Sequence, residues 1–273
     1  MFHGVRGSAP CHGPANVRYG GNTSSVSVHA DGEKPLLLDL GTGLRYFAHA
    51  FAPAGGPALV ADALLTHLHW DHIQGLPFFA PMLRGDAHLT VYGPNPDDGT
   101  SFGEAVRGVV GPPTFPVTLD HFPGSFEFVG VGDDEFSVGG FHVTSRRVPH
   151  IGPTVGYRIE HRGVSIAYIS DHQQPVDGSM TVPESVRELA DGADLLIHDA
   201  QYTRGEFEGK RNWGHCTTDF AVAVAADAGA KTVVLFHHDP ERTDDELDAV
   251  ATCTSGLPGP RVIVAREGLS LSL

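Results

Sequence analysis

The chain contains 273 residues and has a mass of 29.0 kDa, which allows one large domain with a sizeable core and excludes more than two small ones. Acidic residues number 33 against 18 basic ones, and the formal net charge of -15 disfavours an extended nucleic acid as a partner. A small anionic substrate is still allowed, because two divalent cations would reverse the potential inside a cleft.

The cysteine content argues against a disulfide framework, because Cys11, Cys216 and Cys253 include no CxxC pair. The first residues lack the basic and apolar regions of a signal peptide, and no apolar run is long enough to span a bilayer. We therefore expect a cytoplasmic protein that does not cross a membrane.

Short apolar or alternating segments that end in turn residues predict strands at 25–30, 35–39, 59–66, 87–93, 141–148, 155–160 and 164–170. Helical patterns cover 44–51, 183–190, 218–228 and 244–251, with a capping-box signature at Thr243 and Glu246 and helix-ending glycines at Gly192 and Gly229. Later strands are predicted at 194–198, 232–237 and 261–265. This order predicts an α/β fold in which two sheets pack face to face with helices outside.

No linker divides the chain, so we expect a single domain over 1–273. The Pro/Gly-rich stretches between 93 and 121 are short and are flanked by apolar segments, which indicates a loop excursion from the fold and not a boundary.

The segment THLHWDH at 66–72 directly follows a buried strand and is the strongest functional signal in the sequence. It contributes His67, His69, Asp71 and His72 as candidate metal ligands. His67 and His69 are two residues apart and can point to one side, while Asp71 and His72 turn toward a second cation. Imidazole and carboxylate are the ligands that borderline cations such as zinc select. The segment therefore predicts a dinuclear metal site.

Four side chains cannot fill two metal ions, so further ligands are needed. Three candidates also follow predicted strands: His150, Asp171 and His237. His238 is adjacent to His237, and since neighbouring strand residues face opposite sides, one of the two should point away from the metals. We favour His237.

The motif HxHxDH, followed in order by the later His, Asp and His, resembles the metallo-β-lactamase superfamily over nearly the whole chain. Within it, GVRGS at 4–8, YGGNTS at 19–24, LDLGTG at 38–43 and FHHDP at 236–240 resemble the ribonuclease Z-like and cyclic-phosphodiesterase-like branch. The resemblance implies a four-layer αββα sandwich of two mixed β-sheets with helices outside. It also implies that His67, His69 and His150 hold one metal, that Asp71, His72 and His237 hold the other, and that Asp171 bridges them.

Other residues receive roles around this site. Asp39 would accept the free ring N–H of a ligating histidine and so fix its orientation. By the same resemblance Asp199 would orient His215, which would protonate the leaving group. Asp71, Asp199 and His215 are therefore the expected catalytic residues, although His215 could instead cap a helix or bind substrate passively. We expect His172 at the rim of the site, His198 to be buried and structural, and Cys216 not to act as a nucleophile.

The expected function is a metal-dependent hydrolase, a phosphodiesterase that attacks a small phosphodiester, such as a cyclic nucleotide or cyclic phosphate, through a metal-bridging hydroxide. The 93–121 segment offers only Arg107 as a positive charge, so no long nucleic acid is expected. The alternatives are a carboxylic ester, lactone or thioester hydrolase, and a metal-bound sensor without activity. Zn²⁺ is the expected metal, with Mn²⁺ or Fe²⁺ as alternatives, and a homodimer is suggested only by the resemblance.

Overall fold

The computed structural model describes residues 1–52, 55–256 and 258–273. Within these ranges the first sheet has six strands in the spatial order β1 to β6. They are Phe2–Gly4 (β1), Ser25–Val28 (β2), Leu36–Leu38 (β3), Val60–Leu64 (β4), His88–Pro94 (β5) and Ser125–Val131 (β6). β1, β2 and β3 pair antiparallel, whereas β3 to β6 are parallel.

The second sheet has seven strands over the same ranges, in the order β13 to β7. They are Asp134–Val138 (β7), Phe141–Arg147 (β8), Val155–His161 (β9), Val164–Ile169 (β10), Leu195–Asp199 (β11), Thr232–Phe236 (β12) and Arg261–Val264 (β13). β7 to β10 form an antiparallel meander, and β10 to β13 are parallel. Both sheets are therefore mixed, as the sequence predicted.

The helices are Leu44–Phe51 (α1), Trp70–Ile73 (α2), Phe102–Val109 (α3), Glu184–Ala190 (α4), Arg204–Lys210 (α5), Thr218–Asp227 (α6) and Asp244–Thr254 (α7). α7 begins at the predicted capping box of Thr243 and Glu246. The predicted helix-ending glycines, Gly192 and Gly229, both have positive φ. None of the helices in the described ranges is both long and apolar enough to cross a bilayer.

The fold has four layers, namely helices, the first sheet, the second sheet and further helices. An apolar cluster lies between each pair of neighbouring layers. Strand β3 illustrates the arrangement, because side chains alternate across a strand and both of its faces are buried. Leu36 and Leu38 belong to the cluster between the two sheets, whereas Leu37 packs with Leu44 and Phe47 of α1 outside the first sheet. A third cluster lies between the second sheet and α4, α6 and α7. The predicted sandwich of two face-to-face sheets with helices outside is confirmed.

Some elements differ from the sequence prediction. The 93–121 segment was expected to be a loop, but it contains α3, in which Phe102 and Val106 are buried against the first sheet's outer cluster. Ser101 and Glu104 form a capping box at the start of α3, a signal that the glycines Gly103 and Gly108 obscured by lowering helix propensity. Strands β1, β6 and β7 and helix α5 were also missed.

Candidate metal centre

The candidate ligands lie together because several strands end at one edge of the sandwich. In the first sheet, parallel strands β3 and β4 end before Asp39 and the 66–72 segment. In the second sheet, β8 runs in the same direction as β10, β11 and β12, since β9 between β8 and β10 is antiparallel to both. Their ends carry His150, Asp171, Asp199 and His237 to the same edge.

His67, His69 and His150 form the first part of the site, called here the histidine group. Their candidate donor atoms all lie within 4.8 Å of one another. The nearest pair is His69 Nδ1 and His150 Nε2, at 3.2 Å. His150 Nδ1 donates to the carbonyl of Gly214 at 2.7 Å, so its Nε2 keeps a lone pair that faces the group. His67 is buried, whereas His69 is exposed.

Asp71, His72 and His237 form the second part, the carboxylate group, and all three are buried. His72 Nδ1 donates to Asp39 Oδ2 at 2.7 Å, and His237 Nδ1 donates to Gln201 Oε1 at 3.0 Å. The two Nε2 atoms therefore face each other at 3.3 Å and approach Asp71 Oδ2 at 3.1 and 3.0 Å. Two lone pairs and a carboxylate this close require a positive charge between them.

Asp171 lies between the two groups. Its Oδ1 is 3.1 Å from His72 Nε2 and 3.4 Å from His237 Nε2. Its Oδ2 is 3.8 Å from His67 Nε2 and 3.7 Å from His150 Nε2. One carboxylate oxygen thus faces each group, an arrangement in which a single side chain can contact two cations.

The pKa values of the histidines shift in opposite directions in the two groups. Burial lowers the pKa of His67 and His150, with neighbouring histidines adding to the effect. Burial would also lower the pKa of His72 and His237, but the carboxylates around them outweigh it and raise both. The carboxylates around His72 and His237 therefore favour a positive charge at the carboxylate group.

Two atoms test whether the residues fit a metal. Among the described residues, His67 Nε2 and Asp171 Oδ1 are buried and make no hydrogen bond of good geometry. Such atoms are costly unless something binds them, and most buried polar atoms in proteins are bound. Imidazole nitrogen and carboxylate oxygen are good ligands for borderline divalent cations. The donor set therefore fits two such cations.

Asp39 supports the carboxylate group from behind. Beside the bond from His72, its Oδ1 accepts the backbone N–H of Thr66 at 2.8 Å and its Oδ2 accepts the hydroxyl of Tyr168 at 2.7 Å. Asp39 has φ 56° and His237 has φ 59°, a left-handed conformation that non-glycine residues rarely adopt. Such strain persists only where surrounding contacts fix it, and it clusters at functional sites.

Asp199 and His215 lie next to the candidate ligands and are both buried. His215 Nδ1 donates to Asp199 Oδ2 at 2.8 Å, and it is 3.7 Å from Asp171 Oδ2. The backbone N–H groups of His172 and Gln201 bond to the two Asp199 oxygens. The carboxylate is thus fixed, and the His215 tautomer leaves Nε2 as the atom that can exchange a proton.

The structure places the neighbouring residues as follows. His238 turns away from the site and donates from Nε2 to the Ala265 carbonyl at 2.9 Å. His198 is buried, and its Nδ1 donates to the carbonyl of Asp199. His172 was expected at the rim, but it is fully buried, because its Nδ1 bonds to His198 Nε2 at 3.0 Å behind the site. Burial raises the pKa of the Cys216 thiol, which keeps it protonated.

Two glycines that the sequence analysis did not single out allow the ligands to approach. A Cβ at Gly7 would lie 2.3 Å from His237 Nδ1, and one at Gly214 would lie 2.7 Å from His150 Cε1. Ser8 was missed as well, although its N–H donates to Asp71 Oδ2 at 2.7 Å. Gly7 and Ser8 belong to the GVRGS segment, so its position was visible in the sequence, but its contacts with Asp71 and His237 arise only in the fold.

Comparison with known proteins decides the family. The model of the Beta-lactamase superfamily domain matches residues 36–238. The chain belongs to the beta-lactamase superfamily. The predicted family and the predicted class, a metal-dependent hydrolase, are thus confirmed, and the family implies divalent metal ions.

Several named proteins and solved structures are similar to the chain. A protein named ribonuclease Z from an Exiguobacterium species is 29% identical over 271 residues, which cover 83% of this chain and 86% of the relative. The structure of human tRNase Z, short form, has a TM-score of 0.70 at 21% identity and covers 100% of this chain and 98% of its own. Zn²⁺-bound PqqB from Methylobacterium extorquens has a TM-score of 0.73 at 21% identity, covering 100% and 99%. The two structures support the fold.

Proposed function

We propose that this protein is a dinuclear metal-dependent phosphodiesterase that hydrolyses a small phosphodiester in the cytoplasm. The observation that carries the proposal is the convergence of seven donor side chains in two groups that share Asp171. The name of the ribonuclease Z relative supports phosphodiester chemistry, since RNA is a phosphodiester.

The proposed ligands follow the two groups. His67, His69 and His150 would hold one cation, Asp71, His72 and His237 the other, and Asp171 both. We propose Zn²⁺ because the ligands are nitrogen and oxygen atoms of borderline softness. When bound, two such cations supply Lewis acidity and lower the pKa of water toward neutrality.

The residues of the chain have distinct tasks in this reaction. Asp39 and Gln201 accept the outer N–H groups of His72 and His237, which aims both inner nitrogens at the centre. His215 carries the transferable proton on Nε2, and Asp199 fixes its tautomer through Nδ1. Donation of that proton to the departing oxygen would spare the leaving group a full negative charge.

Charge favours a small substrate. The chain has a net charge of -15, and the 93–121 segment has one basic residue, Arg107, whose guanidinium pairs with Asp120. Binding of a long polyanion depends on several cationic side chains that displace counterions from phosphates. A diester with a single phosphate needs only the metal centre itself for its charge.

RNA is the second candidate, because relatives at this similarity are named ribonuclease Z. That name stands against our expectation that no long nucleic acid is bound. The two candidates share the metal centre and differ in what lies outside it. A precursor tRNA and a set of small diesters, compared on one metal-loaded sample, therefore separate them.

The test uses the zinc-loaded protein with bis-p-nitrophenyl phosphate, a cyclic nucleotide, an acyl lactone and a precursor tRNA. We expect turnover of the small diesters, with loss of activity on chelation. Lactone turnover with no diester hydrolysis would contradict the proposal and favour the ester-hydrolase alternative. More efficient cleavage of the precursor tRNA would favour RNA, and no turnover of any substrate would favour a sensor.

His215→Asn tests the proton-donor assignment. The p-nitrophenolate leaving group is stable as an anion and needs little protonation. An alkoxide leaving group is strongly basic and needs a proton from a general acid. We expect the variant to lose about a hundredfold in kcat on the alkoxide substrate and only a few-fold on the p-nitrophenyl diester. His121→Asn, at a histidine outside the centre, is the control. Equal losses on both substrates would show that His215 has a structural role.

A further inference from the structure

A small apolar pocket lies beside the histidine group. It has a volume of about 160 Å³, and His67 and His69 line it together with apolar side chains: Leu68, Pro94, Pro96, Ile151 and Pro153. Among the described residues that line it, none is a lysine, arginine, aspartate or glutamate. A substrate held at the histidine group would therefore have one substituent in apolar surroundings.

The size of the pocket matches a single ring. An apolar cavity of about 150 Å³ is large enough to hold benzene. Proline has a fixed φ, and Pro94 also belongs to strand β5, so these walls lose little conformational freedom when a ligand binds. The pocket is therefore suited to a rigid planar group.

The walls are covalently tied to the candidate ligands. Leu68 stands between His67 and His69, and Ile151 directly follows His150. Ile151 is 55% exposed, so a substituent placed against it would remove apolar surface from water. This arrangement aligns a bound ring with the metal centre.

A charged substituent would be disfavoured at this position. Desolvating a charge without a partner is costly. The basic side chain of Arg147, which precedes the His150 loop, already forms an ion pair with Asp97 at 3.2 Å. The surroundings therefore select an uncharged group.

We propose that this pocket binds a planar apolar ring of the substrate, so that the substrate class is a phosphodiester with an aromatic substituent. The inference rests on the proposed function for the phosphodiester group. Ring binding itself does not require turnover, so it can be measured separately.

The experiment compares phenylphosphonate with methylphosphonate, which carry the same anionic group and differ only in the ring. Both are titrated into the zinc-loaded protein by isothermal calorimetry. We expect phenylphosphonate to bind about tenfold more tightly, because the ring leaves water. Equal affinities, or no binding of either compound, would overturn the proposal.

Substitutions in the pocket test whether it causes the tighter binding of phenylphosphonate. Ile151→Ser and Pro96→Ser should each reduce the ratio of the two affinities about threefold or more, while methylphosphonate binding stays the same. Val60→Ser is the matched control, since Val60 is exposed and begins β4, whose other end leads to the metal centre. An unchanged ratio in both pocket variants would overturn the assignment. If the ring preference is present but no phosphodiester is hydrolysed, the proposed function is wrong and the pocket assignment stands.

Discussion

The two halves of the candidate centre are built from similar residues in different surroundings. The histidine group is partly open, with His69 exposed, and burial lowers the pKa of His67 and His150. The carboxylate group is buried, and its carboxylates raise the pKa of His72 and His237. The surroundings of the first group thus favour neutral imidazoles, whereas those of the second favour a positive charge.

This difference suggests separate roles for the two groups, one structural and one open to a ligand. The carboxylate group has a structural role, because three buried carboxylates contact His72. They are those of Asp39, Asp71 and Asp171. Asp171 is the carboxylate that faces His67 and His150, and a pocket beside the histidine group leaves room for a ligand. We infer that a substrate approaches the proposed centre from the side of the histidine group.

The largest effect is expected where the two halves join. Asp171→Asn removes the charge that both groups share, so metal content should fall from two ions and diester turnover should drop at least about a thousandfold. Elemental analysis and kinetics on one sample measure both. Asp194→Asn, an aspartate paired with Lys231 at the surface, is the control. Full metal content with full activity in the Asp171 variant would show that the halves do not share this residue.

The next test sets one half against the other. His72→Ala should destabilise the metal-free protein by about 3–5 kcal/mol, because it leaves Asp39 and Asp71 buried without their partner. His69→Ala should cost less than about 1 kcal/mol, since His69 is exposed. Urea denaturation of the two metal-free variants measures the difference. A similar loss in both would remove the distinction between the halves.

The sequence predicted much of this arrangement, because its signals are local. His67, His69, Asp71 and His72 lie within six consecutive positions, from the end of β4 into α2, and His150, Asp171 and His237 each follow a strand. Strands with strong apolar runs were found, while β6 and β7, in which every residue except the last is exposed or half-buried, were not. The ligand roles themselves remain a prediction.

The remaining features depend on contacts between distant segments. His172 was expected at the rim because it is adjacent to Asp171, yet its ring turns behind the site toward His198. Gly7 meets His237 across 230 positions of sequence, a contact that no local pattern contains. A single sequence shows which residues are chemically able to form a site, but the side to which each one turns is decided by packing.

Gly7 and Gly214 allow each half to be perturbed separately. Gly7→Ala would press on the His237 ring of the carboxylate group. Gly214→Ala would press on the His150 ring of the histidine group and would also strain the backbone, because Gly214 has φ 94°. We expect each to weaken metal binding at its own half about 10–100-fold, as displaced ligand supports do. Competition with a chelator measures the two affinities. Gly205→Ala, where a Cβ meets nothing within 4 Å, should change neither.

The smallest effect concerns His3, a buried histidine that pairs with no carboxylate among the described residues. It resembles the histidine group in that burial lowers its pKa. His3 bonds through Nε2 to Ser27 at 2.8 Å, and burial, together with the positive charge of the Met1 amino group, lowers its pKa to about 4. Since the unfolded chain binds the proton at about pH 6.5, folding stability should be complete above that pH and fall as the pH drops toward 4. The loss is at most about 3 kcal/mol.

His3→Gln should flatten this part of the stability curve relative to the parent protein, whereas His142→Gln, at an exposed histidine, should not. An unaltered slope in the His3 variant would mean that burial and the Met1 amino group do not lower the pKa of His3 as described.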